Sequence, residues 1–106
     1  MNLHSYVTLS DNQITTTSIK VAEAFGKQHK DVLKRIYSLD CSTEFASAHF
    51  CAHVQKVAIG NGASRKSKVY EMTKDGFMFL VMGFTSKKAG AIKEAYINAF
   101  NQMASQ

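Results

Sequence analysis

A chain of 106 residues with a formal net charge of +5 and a pI near 9.3 has material for one hydrophobic core but not for two ordinary domains, and its basic excess points to anionic partners. Cys41 and Cys51 do not make a disulfide framework, no run approaches the roughly 18 apolar residues of a membrane span, and MNLHSYVTLS has no charged stretch leading into an apolar one. A single soluble, cytoplasmic domain over residues 1–106 is expected, without membrane association, and the absence of proline leaves glycine to mark the turns.

Residues 1–5 carry no structural signal and are expected to be loose. Tyr6 to Leu9 and Ile14 to Thr17 are short β-prone runs around Ser10, Asp11, Asn12 and Gln13, which predicts a small hairpin. Thr17 or Ser18 then caps a helix in which Ile19, Ala22 and Phe25 recur at helical spacing, and Gly26 stops it. A second helix follows from about Gln28 to Leu39, with Val32, Leu33, Ile36 and Leu39 as its apolar stripe. Two short helices joined by a tight, glycine-containing turn describe a helix-turn-helix candidate.

On the helical wheel, Lys27, Lys30, Asp31, Lys34 and Ser38 fall opposite that stripe and Arg35 at its flank, so the exposed face is mostly basic. His29 falls on the buried side and is expected to pack or cap. A solvated helix face is the ordinary fate of such a charge run, with nucleic-acid contact as the sharper reading.

Asp40 and Glu44 locally reverse the charge, and Asp40 to Ala48 reads as a connector with one helical turn. Phe50 to Ile59 reads as a strand with Phe50, Ala52 and Val54 on one face and Cys51, His53 and Gln55 on the other. Gly60-Asn61-Gly62-Ala63-Ser64 leads through Arg65, Lys66 and Lys68 into a second strand, making a hairpin with a basic tip. That strand places Tyr70 and Met72 on one side and Val69, Glu71 and Thr73 on the other. The period then changes. Thr73 is a capping residue, Asp75 charges the first turn, and Phe77 to Val81 is apolar at every position, which predicts a helix buried all round and ended by Gly83. Thr85 or Ser86 caps a last helix reaching Met103. Its stripe of Ala89, Ile92, Tyr96, Ala99 and Met103, widened by Ile97 and Phe100, is expected to pack on the Phe77 to Val81 core, with a homodimer seam as the alternative.

His49, Cys51 and His53 alternate on a strand with Cys41 upstream, and imidazole and thiolate are zinc ligands. Ligands at every second residue of one strand span about 13 Å and do not converge on one ion. No metal and no cofactor is expected, and Cys51 is expected to pack. Nor is there a G-x-S-x-G elbow, a phosphate loop or an H-E-x-x-H pair, so an enzyme is not expected.

The fold expected from these elements is α+β: a winged-helix-like domain, helix-turn-helix followed by a β-hairpin wing and two C-terminal helices. Such a layout binds double-stranded DNA with a helix in the major groove and a basic wing on phosphates or a minor groove. Lys27, Gln28, Lys30, Lys34 and Arg35 are the candidate contacts on the helix, and Arg65, Lys66 and Lys68 those on the wing. Most would sit on phosphates, with Gln28 the candidate for a base edge.

The runs TTTSIKVAEAFGKQHKDVLKRI from Thr15 to Ile36 and TKDGFMFLVMGFTSKKAGAIKEAYINAFNQM from Thr73 to Met103 resemble the phage regulatory protein Rha family, over nearly the whole chain from Ile14 onward. The resemblance implies a temperate-phage or prophage protein of the bacterial host cell that regulates phage growth, is connected with integration host factor and acts on DNA. It supplies no catalytic residues. Larger relatives carry a further C-terminal domain, so the expectation is an N-terminal module alone. Ser86 stands where the family often has glycine, and Gly90 interrupts the last helix at a cost of about 1 kcal/mol relative to alanine. The alternative function is a protein-interaction module, antirepressor-like, that captures a host or phage regulator through the basic face or the last helix.

Overall fold

The computed structural model describes residues 4–10 and 12–104. Of the segment expected to be loose, residues 1–3 lie outside that range, and His4–Tyr6 form a short 3-10 turn. The first hairpin joins β1 (Thr8–Ser10) to β2 (Gln13–Thr17), with Leu9 opposite Ile14; Asp11 of its turn lies outside the described residues.

Helix α1 (Ser18–Phe25) begins where the Thr17 hydroxyl accepts the Lys20 N–H at 3.2 Å. It ends at Gly26, whose φ of 66° is a left-handed value, and the Lys27 N–H then reaches back to the Ala22 carbonyl at 2.9 Å. This glycine stop turns the chain directly into α2 (His29–Tyr37), which packs on α1.

The stretch read as a connector contains a full helix, α3 (Thr43–His49), opened by the Ser42 hydroxyl accepting the Phe45 N–H at 3.0 Å. Two long strands follow, β3 (Phe50–Gly60) and β4 (Ala63–Thr73). Asn61 and Gly62 between them both have positive φ, 53° and 73°, the left-handed values of a tight hairpin turn. The Thr73 hydroxyl accepts the Gly76 N–H to open α4 (Lys74–Val81), and the Ser86 hydroxyl accepts the Ala89 N–H to open α5 (Lys87–Ala104).

The architecture is α+β: one four-stranded antiparallel sheet in the order β1-β2-β4-β3 and, among the described residues, five α-helices. The core joins Val21, Ala22 and Phe25 of α1, Val32 of α2, Met72 of β4, Phe77, Leu80 and Val81 of α4, and the α5 stripe of Ala89, Ile92, Tyr96, Ala99 and Phe100. The heptad-like stripe of α5 is thus consumed inside the chain's own core. Tyr96 sits at its centre, 4.3 Å from the Phe77 ring and 2.7 Å from the Thr16 hydroxyl. Thr16 spends its one proton on the Tyr6 carbonyl at 2.6 Å, so the Tyr96 hydroxyl is the donor to Thr16. Burial pushes the Tyr96 phenol upward.

Three expectations are corrected here. Helix α4 is not buried all round: Met78 is exposed and Phe79 is half-buried against Phe45 of α3, at 5.2 Å between ring centroids. The alternation expected in β4 fails because Val69 and Met72, of opposite parity, are both buried. Cys51 is exposed rather than packed, because β3 is the edge strand and leaves the body of the protein just beyond Phe50.

That departure makes β3 and β4 an arm. Ala52 and Val54, the expected apolar face, are exposed, and from Val54 to Gly60 the arm extends roughly 20 Å beyond the level of Val69, the outermost buried residue of β4. No helix among the described residues is long and apolar enough to cross a membrane.

Candidate functional site

The basic side chains named from the sequence fall on two elements. On α2, Lys30 and Lys34 are exposed, with Lys27 and Gln28 exposed just before it. Gln28 holds the N-cap position with extended backbone but makes no side-chain cap bond, which leaves its amide available. The Lys27 ammonium lies over the Phe84 ring at 4.7 Å, a cation–π contact that ties the tip of this exposed residue to the body.

Two side chains fix α2 in place. His29 Nε2 lies 2.8 Å from the Ser18 hydroxyl, and that oxygen also accepts the Tyr70 N–H at 3.0 Å. One buried hydroxyl therefore joins α2, α1 and β4. Burial lowers the His29 pKa, in keeping with a neutral ring that accepts from Ser18. The packed or capping role expected for His29 is a three-way tie.

Arg35 is half-buried, and its Nε donates to the Leu80 carbonyl at 3.3 Å. That carbonyl belongs to the last turn of α4, where unsatisfied acceptors and the negative end of the helix dipole favour a cation. Its guanidinium lies over Gly83, where an added Cβ would sit 2.6 Å from Nη2. The structure therefore places Arg35 between α2 and α4, away from the row formed by Lys30 and Lys34.

On the arm, Arg65, Lys66 and Lys68 are exposed. Lys68 lies 5.9 Å from the Tyr37 ring at the end of α2 and 5.4 Å from the Tyr70 ring of β4. Tyr70 first, and then Tyr37, raises the pKa of Lys68 above its ordinary value. This is the junction between the helix face and the arm.

The His and Cys residues weighed as metal ligands are placed apart. His49 ends α3 instead of lying on the strand, and its Nδ1 is 2.7 Å from the Thr73 hydroxyl. His53 Nε2 is 3.2 Å from Glu71, whose other oxygen accepts from Thr15 at 2.8 Å. Among the described residues, no group of three or more His, Cys, Asp or Glu is arranged to hold a metal ion.

The sequence profile of the phage regulatory protein Rha family matches residues 16–105, from β2 to the end of α5. The chain belongs to the Rha family. It is 44% identical over 100 residues, 94% of its length, to an uncharacterized 22.8 kDa protein in the gp15-gp3 intergenic region of Salmonella phage P22, and covers 49% of that protein. It is 36% identical over 107 residues, 96% of its length, to an uncharacterized protein of Haemophilus influenzae and covers 59% of it. The chain thus spans about half the length of these curated relatives. No solved structure matches it.

Both elements of the basic surface, α2 and the β3–β4 arm, lie inside the region matched to the Rha family. One Rha residue on that surface was not singled out in sequence. Lys56 stands on β3 directly opposite Lys66. The signal was present in the turn, since a two-residue Asn61-Gly62 connection sets the register of the strands it joins. The irregularity between Ala58 and Gly60 shifts that register by one residue, so counting back from the turn without it misplaces Lys56.

Proposed function

We propose that this Rha family member is a phage regulator that binds double-stranded DNA in the manner of a winged helix. Helix α2 enters the major groove with Lys30 and Lys34 on phosphates, Lys27 and Gln28 lie at its leading end, and the β3–β4 arm acts as the wing through Arg65, Lys66 and Lys68. Arg35 serves this surface by holding α2 against α4. The observation that carries the reading is Lys68 between Tyr37 and Tyr70, which joins the basic helix to the basic arm as one surface.

Fluorescence anisotropy with a random duplex of about 20 base pairs, titrated at several salt concentrations, tests the proposal. About five neutralised phosphates correspond to a log–log salt slope near −4 to −5. Lys30→Gln with Lys34→Gln is expected to weaken binding and flatten the slope. Absence of binding at low salt would overturn the reading.

A second reading, a protein-docking module for a host or phage regulator, is favoured by one feature beside the same junction. Ile36, Tyr37, Leu39, Cys41, Phe50 and Tyr70 line an apolar hollow of about 280 Å³. Partners retained from host lysate after nuclease treatment, and lost with Tyr37→Ser, would support it.

A further inference from the structure

The register of the arm sets Lys56 against Lys66 and Val54 against Lys68. Opposed residues of an antiparallel pair share a face, so Lys56, Lys66 and Lys68 project from one side of the ribbon and Arg65 from the other. Lys56 and Lys66 are exposed positions on strands whose outer halves have no further neighbour in the sheet. Among the described residues, neither side chain makes a hydrogen bond, an ion pair or a ring contact.

Like charges directly opposite each other destabilise a strand pair. Protection of an exposed edge does not require that arrangement, because one lysine per strand at staggered positions serves equally well. Nor does the chain neutralise the pair. No acidic residue occurs between Glu44 and Glu71, and Glu71 is engaged by Thr15 and His53. The arm therefore carries, far from the core, two opposed cations with no acidic partner among the described residues, an arrangement that an external anion would relieve.

We propose that Lys56 is a phosphate-binding residue and that, with Lys66, it forms a clamp whose two ammonium groups close on a single phosphate of the DNA backbone. This rests on the DNA-binding reading above and extends it to a residue and a geometry. Directly opposed Cβ atoms lie about 4.5–5.5 Å apart, and two four-carbon stems rising from one face let the ammonium groups meet the two non-bridging oxygens of one phosphate. Repulsion in the free protein becomes shared attraction in the complex. The clamp anchors the arm to the backbone well away from α2, and Lys68 continues the same face toward the helix.

The test uses the full chain, the same random duplex and a salt series, with Lys56→Gln, Lys66→Gln, the double variant, Lys56→Arg, and the pair Lys30→Gln with Lys34→Gln. Lys56→Gln is expected to weaken binding, and Lys56→Arg to retain most of it. Because the two lysines share one phosphate, either single variant leaves the other lysine on it, so the double variant is expected to lose more than the two single losses combined, with the salt slope reduced by about 0.9 rather than about 1.8. The Tm of Lys56→Gln is expected to equal or exceed that of the parent, since a repulsion is removed, so lost binding is not lost folding. Additive losses in the double variant would overturn the clamp, and Lys56→Gln binding like the parent would overturn any role for Lys56. If the parent itself does not bind duplex, the DNA reading falls together with the clamp. If the parent binds, and the α2 pair weakens binding while Lys56→Gln does not, the clamp alone falls.

Discussion

His29 reaches the Ser18 hydroxyl with Nε2 at 2.8 Å, and through it the Tyr70 N–H of β4. The helix carrying the basic face is thereby fixed to the sheet through a fully buried residue, Ser18.

Burial lowers the His29 pKa in the folded protein from its ordinary value near 6.5. As pH falls below that value the unfolded chain takes up a proton that the folded chain resists, so stability is full above it and declines through the acid range. Urea midpoints at pH 7.5 and pH 5 are expected to differ, and His29→Asn is expected to narrow the difference. An equal difference in the variant would assign the acid sensitivity elsewhere.

Arg35→Lys is expected to cost about 1 kcal/mol in urea unfolding, because an ammonium does not reproduce the donation to the Leu80 carbonyl from a plane lying over Gly83. Gly83→Ala is expected to act in the same direction, since the new methyl displaces the guanidinium. An unchanged midpoint in both would show that α2 is held without this contact.

An added Cβ at Gly76 would lie 2.8 Å from the His49 carbonyl. The obstacle is backbone at the end of α3, which does not swing aside. Gly76→Ala is therefore expected to destabilise by about 1–3 kcal/mol despite the better helix propensity of alanine. Far-UV circular dichroism during unfolding measures this, and a stabilised variant would contradict the close approach of α3 and α4.

Gly90 is the opposite case. It is an exposed helical residue with nothing within 4 Å of an added Cβ. Gly90→Ala is expected to raise stability by up to about 1 kcal/mol, seen as a higher Tm.

Tyr96→Phe removes the donor to Thr16 while Thr16 keeps its bond to the Tyr6 carbonyl. The expected cost is about 1 kcal/mol, against about 3–5 kcal/mol for Tyr96→Ala, which empties the middle of the ring cluster. Equal losses in the two variants would place the weight on the hydroxyl instead of on packing.

Five of the chain's helical and hairpin boundaries were readable because capping chemistry is local. Thr17, Gly26, Thr73, Ser86 and the Asn61-Gly62 turn act on neighbours within a few residues. Helix α3 was not readable as a helix because it buries no residue, so it has no apolar period to display. The burial of both Val69 and Met72 was hidden for a different reason, since alternation describes a strand with one dry face and the base of β4 is covered on two sides. In the candidate site, exposure of Lys30 and Lys34 followed from helical periodicity, and that of Arg65 and Lys66 from their place near a glycine-rich hairpin tip. The engagement of Arg35 with Leu80, 45 positions away, depends on tertiary packing that no local pattern encodes.

The arm also divides the protein by how much each part constrains the other. Between Val54 and Lys68 the described side chains are largely exposed, and the pairing that closes the sheet body lies further back, at Phe50 with Met72 and at Thr16 with Met72. Insertions, deletions or charge reversals at the tip therefore leave the helices that enclose Tyr96 intact. Descendants of one such sequence are free to vary the arm while inheriting the same body, much as a handle accepts different blades.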